Sequence, residues 1–142
     1  MKRLLTLALV ITMCLGCGSV NSPMNMTPLD TQNFKEYVFD TDTVFEYKKH
    51  EPAVIYFYSR RVKNCEKQTP EVEQIAGVYS NAIHFYCVNY EENIKIAEAF
   101  KIKKLPAFVF VPLNPNIQTV SGAVLSYHDL EKAFDDIFGI NK

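Results

Sequence analysis

The apolar positions of the chain fall into runs of two kinds. "PAVIYFYS" (52–59) and "AIHFYCVNY" (82–90) are nearly continuous apolar, β-branched and aromatic segments, and "PAFVFVP" (106–112) reads the same way. A strand covered on one face alternates apolar with polar residues, so these runs mark strands buried on both faces. A turn at "NPN" leads into a further strand, "IQTVSG" (117–122). Between the runs, apolar residues recur at helical spacing. Val72, Ile75, Ala76 and Tyr79 do so within 63–80, where Pro70 sits inside the pattern as a kink. Ile94, Ala97 and Phe100 or Ala99 do so within 92–102, and Leu130, Ala133, Phe134, Ile137 and Phe138 within the closing "SYHDLEKAFDDIFGI". Nearer the N-terminus, "EYVFD" (36–40) is a short β-prone run, and "TDTVFEYKKH" (41–50) reads as a helix capped by Thr and Asp. The predicted order is β-α-β-α-β-α-β-β-α. Alternation demands parallel strands and the short turn an antiparallel pair, giving an α/β fold with a mixed central sheet of about five strands flanked by helices.

The first residues belong to a different regime. "MKRLLTLALVITMCLGC" has a basic start, an apolar run from Leu4 to Leu15, and Gly16 before Cys17. That run is shorter than the 20 or so residues a bilayer span needs and suits a secretory leader. "CLGC" followed by "GS" resembles the lipobox of bacterial lipoproteins, with Cys14 where an aliphatic residue is usual and Cys17 as the residue to be acylated. The predicted division is a signal peptide over 1–16, a lipidated cysteine and flexible spacer over 17–33, and a domain over 34–142. The domain would be lipid-anchored in a bacterial cell envelope, outside the cytoplasm, where disulfides persist. The alternative is cleavage near Gly18 and Ser19, giving a periplasmic or secreted protein. The 142 residues suit one domain, and a net charge of −1 excludes a global basic field for nucleic acid.

Candidate chemistry centres on "RRVKNCEK" (60–67), where Cys65 stands at the start of the second long helix. Pro70 lies five residues beyond Cys65, "KIKKLPAF" supplies Leu105-Pro106, and "SGA" (121–123) precedes the last helix. Together with the element order, this spacing resembles the thioredoxin family over about 34–140. The resemblance implies a thioredoxin fold with a cis bond at Pro106, whose loop presents backbone groups to an extended peptide. It also places Val62 at the nucleophile position of the family's W-C-x-x-C-K motif, leaving only the resolving thiol, Cys65. By the same alignment Arg61 replaces the tryptophan, Tyr56 the buried acid and Cys87 the lysine that partners it. Thiol–disulfide exchange needs an attacking thiolate and a second thiol to release the mixed disulfide, so the dithiol cycle is broken.

Three functional readings remain from the sequence, of which the third, a purely structural role inside a larger envelope assembly, is not separable from the first. In the first, a redox-degenerate domain binds an extended polypeptide or envelope partner through Leu105, Pro106, Arg61, Lys63 and Lys104. In the second, Cys65 works alone as a monothiol oxidoreductase, its thiolate favoured by the helix N-terminus and by Arg60, Arg61, Lys63, Lys67, Lys101, Lys103 and Lys104. Against the second stands a Cys65 that is simply a small buried residue. The expected partners are a protein or peptide, including a cysteine-containing envelope protein, and a membrane through the lipid anchor; nucleic acid is not expected. Cys87, mid-strand, reads as a packed core cysteine. His50, His84 and His128 lack metal-ligand spacing, and neither metal nor cofactor is expected. Glu91-Glu92 and Asp135-Asp136 read as solvated helix faces.

Overall fold

The computed structural model describes residues 25–38, 47, 49–114 and 116–140. The leader, Cys17 and most of the helix expected at 41–50 lie outside the described residues. The elements are β1 (Thr27–Pro28), α1 (Phe34–Tyr37), β2 (Ala53–Tyr58), α2 (Lys63–Tyr79), β3 (His84–Asn89), α3 (Ile94–Ala99), β4 (Ala107–Val111), β5 (Gln118–Ser121) and α4 (Tyr127–Phe138). They follow the predicted order and form one five-stranded sheet, β1-β3-β2-β4-β5. β1 and β2 run parallel to β3, while β4 is antiparallel to both β2 and β5.

The first two elements lie earlier than their composition suggests. Glu36 and Tyr37 of "EYVFD" belong to α1, and the Val38 N–H donates to the Phe34 carbonyl at 2.9 Å. The first strand instead comes from the polar stretch read as spacer. Thr27 and Pro28 are themselves exposed, but Met26 and Leu29 beside them are buried. Leu29 donates to the Cys87 carbonyl at 2.8 Å, and the Asn25 amide nitrogens reach Glu73 at 3.0 and 3.1 Å. Tertiary anchoring overrides weak local propensity, and Pro28 is tolerated because β1 is a sheet edge.

The three central strands are buried along their whole length or nearly so, as their continuous apolar runs predict. Strand alternation divides their side chains between two cores. Val54, Tyr56, Tyr58, Phe108 and Phe110 face α2 and α4, where Val72, Ile75, Leu130 and Phe134 meet them. Ala53, Ile55, Phe57, Val88 and Val109 face α1 and α3, against Phe34, Val38, Ile96 and Ala97.

Helix α3 buries Ala97 and packs Phe100 on the core as expected, but Ile94 is 49% exposed and Ile96 is buried in its place. The buried Asn93 preceding it donates its amide to the Asn89 carbonyl at 3.2 Å, which sets the phase of the short helix. Lys101, with φ 56, closes α3 in the left-handed region glycine usually takes. Its N–H reaches the Glu98 carbonyl at 2.9 Å, and Ile102 N–H reaches Ala97 at 2.9 Å. Helix α4 opens with a capping box between Ser126 and Asp129 and ends at Gly139, φ 68. Glu91 and Glu92 lie before α3 rather than on its face: Glu91 accepts from the Ser59 hydroxyl and Glu92 from the Asn89 amide at 3.0 Å.

Candidate functional site

Strand register gathers four loops at one end of the sheet. Tyr58 pairs with Asn89, Phe57 with Ala107 and Ala107 with Ser121. The loops leaving β2 (59–62), leaving β3 (90–93), entering β4 (101–106) and leaving β5 (122–125) therefore open on the same edge. The chain enters β1 from the opposite end, where Asn25 shares a cavity with Ser80, Ile83 and His84.

Val62 caps α2, its carbonyl accepting from Cys65 N–H at 2.9 Å, and its side chain packs on the core. Cys65 lies one turn in and is only 2% exposed. Burial pushes its thiol above the ordinary range, against the opposing pull of the Ser59 backbone N–H and the Tyr56 hydroxyl; Glu91 raises it further. Burial thus opposes the activation expected from the helix N-terminus and surrounding cations. Arg60, Arg61, Lys63, Lys67, Lys101, Lys103 and Lys104 are all exposed.

Tyr56, at the position the resemblance gives to the buried acid, is fully buried between Phe108 and Tyr58, ring centroids 5.2 and 5.8 Å away. Its hydroxyl meets Thr69 Oγ1 at 3.1 Å and the Cys65 carbonyl at 3.5 Å, and the Thr69 hydroxyl donates to that same carbonyl at 2.8 Å. Burial pushes its phenol well above the usual range, so at neutral pH it is a proton donor and no general base. Cys87, its neighbour on β3, is 1% exposed, with its thiol pushed up to about 12 by burial and then by the Glu73 charge. Both thiols are free. Burial raises the pKa of all three side chains under Val62, Tyr56, Cys65 and Cys87, which opposes thiolate formation at both thiols.

The other half of the site is intact. The Leu105-Pro106 bond is cis. Pro106 is buried, and its carbonyl accepts from Gly122 N–H at 2.8 Å, locking the β4 and β5 loops together. Leu105 packs against both cores, yet its N–H and carbonyl have no hydrogen-bond partner among the described residues. Gly122 (φ 79) leaves room for the Lys104 stem: a β-carbon there would stand 3.1 Å from Lys104 Cβ and Cδ. Gln68, fully buried, donates to the Leu125 carbonyl at 2.9 Å and accepts from its N–H at 2.6 Å. Sequence reasoning missed Ser59, Gln68, Thr69 and the placement of Glu91. Only Thr69 carried a signal, its position one helical turn after Cys65.

Sequence and structure comparisons agree with this architecture. The thioredoxin family profile matches residues 25–136. A thioredoxin of Borreliella burgdorferi is 29% identical over 113 residues, 78% of this chain and 96% of its own. Thioredoxin 1 of Synechococcus elongatus is 29% identical over 87 residues, 59% of this chain and 81% of its own. Among solved structures, the Malassezia sympodialis thioredoxin Mala s 13 superposes with a TM-score of 0.63 at 24% identity, over 79% of this chain and 90% of that one. Chloroplastic thioredoxin z, whose structure defines a type-specific target recognition, superposes at 0.65 with 14% identity, over 79% and 93%. By fold, matched span and relatives, the chain belongs to the thioredoxin family.

Proposed function

We propose that this thioredoxin-like protein is a cell-envelope lipoprotein, anchored through Cys17, that binds an extended polypeptide beside Pro106 without dithiol chemistry. One observation carries the reading. The thiol side of the site is closed, with Val62 at the helix start and Cys65 2% exposed, while the cis-proline side keeps an unpartnered Leu105 peptide group. An extended segment supplies the N–H and carbonyl that such a group lacks. The leader pattern supports the anchor. Purified chain is expected to reduce insulin disulfides no faster than a buffer control containing dithiothreitol. Reduction well above that control, lost on Cys65→Ser, sinks the proposal.

A second reading keeps Cys65 as a lone nucleophile, favoured by the Ser59 N–H and Tyr56 hydroxyl that partly offset its burial. Mixed-disulfide formation with glutathione disulfide, read by intact mass in a Cys87→Ser background, separates the two. An unmodified Cys65 removes the monothiol.

A further inference from the structure

The charge around the groove has a direction as well as a sign. The sheet order puts β2 between β3 on one side and β4 then β5 on the other. The groove beside Pro106 therefore lies between the β2, β4 and β5 loops: 59–62, 101–106 and 122–125. Those loops contain Arg60, Arg61, Lys101, Lys103 and Lys104 and not one Asp or Glu. Glu91 and Glu92 come from the β3 loop; Glu92 is held by Asn89, while Glu91 reaches across to Ser59 at the base of the β2 wall. None of the five cations forms an ion pair with a carboxylate among the described residues, whose recorded pair is His84 with Glu51. The Lys104 stem lies along Gly122, between the β4 loop and the β5 loop. The third wall, Gly122 to Leu125, is uncharged and held by Gln68. A chain whose formal charge is −1 has thus placed five cations on the walls of one groove, against Glu91 at Ser59 and Glu66 in the first turn of α2.

We infer that the segment bound beside Pro106 is acidic: an extended stretch with Asp or Glu side chains next to the residues that pair with Leu105. This rests on the groove reading above and adds the chemistry of its occupant. The Leu105 peptide group supplies register, and Arg60, Arg61, Lys103 and Lys104 discriminate by charge.

An array of random ten-residue peptides, probed with the labelled full-length chain at about 50 and about 500 mM salt, tests it, since the Debye length shortens from roughly 14 to 4 Å over that range. Retained peptides are expected to be several-fold enriched in Asp and Glu at low salt and much less so at high salt. Lys103→Gln with Lys104→Gln is expected to abolish that enrichment while uncharged peptides stay bound. The control Lys49→Gln with Lys95→Gln, outside the groove, is expected to keep it. Retention without acidic enrichment, or enrichment lost equally in both pairs of variants, overturns the acidic partner and leaves the groove standing. No retention of any peptide overturns the groove reading as well.

Discussion

The two faces of the sheet are built from the same strands yet hold different kinds of interior. Against α1 and α3 the packing is apolar and aromatic, with Phe100 edge-on to Phe34 and Phe57 at 5.9 and 5.8 Å. Against α2 and α4, polar groups are built into the core: Tyr56, Cys65, Gln68 and Cys87, with Thr69 at its margin. The first face holds none of the positions tied to redox chemistry by the resemblance. On the second, the positions that the resemblance associates with redox chemistry have kept their burial and lost their charge. Neutral hydroxyls and thiols there are bonded or enclosed at modest cost, where an unpaired ion would cost several kcal/mol.

Breaking the apolar face should cost most. Phe57→Ala removes a fully buried ring from the central strand and is expected to lower unfolding free energy by about 3–5 kcal/mol in urea titration. On the polar face, Gln68→Ala strands both backbone groups of Leu125 and should cost about 2–3 kcal/mol. Alkali sharpens the contrast. The Cys87 thiol is pushed up to about 12, so the unfolded chain loses its proton first as pH rises. Its contribution is complete below the unfolded value near 8.5 and is lost between there and about 12, by up to about 1.4 kcal/mol per pH unit. Cys87→Val should remove that part of the alkaline slope, whereas Val88→Ala, on the other face, should lower stability without changing the slope. Tyr56→Phe is the mildest, about 0.5–1.5 kcal/mol, because the Thr69 hydroxyl keeps its bond to the Cys65 carbonyl. The same change withdraws a group that lowers the Cys65 pKa, so alkylation of Cys65 at fixed pH should slow.

Much of this architecture is legible in the sequence. The central strands announced themselves because burial on both faces leaves no polar positions, and α2 and α4 because their apolar residues keep one phase over several turns. β1 was hidden because two exposed residues carry no periodicity, and its stability comes from Met26, Leu29 and the β3 edge. The aromatic and β-branched residues of "EYVFD" favoured a strand, whereas Glu36 and Tyr37 lie in α1 and Val38 caps it. At the site, the resemblance identified Val62, Cys65 and Pro106. The residues that brace them were invisible because their partners are remote: Gln68 and Leu125 are 57 positions apart, Ser59 and Glu91 are 32.

The direction of β1 sets where the groove looks. The chain enters the sheet at the pole opposite the groove, so an anchor at Cys17 would pull on the far end of the domain. From Cys17 to Met26 the fully extended chain reaches at most about 35 Å, comparable to the width of a domain this size. Under the proposed anchor, the tether would leave the domain at the pole farthest from the groove, so the attachment itself would leave the open mouth unobstructed.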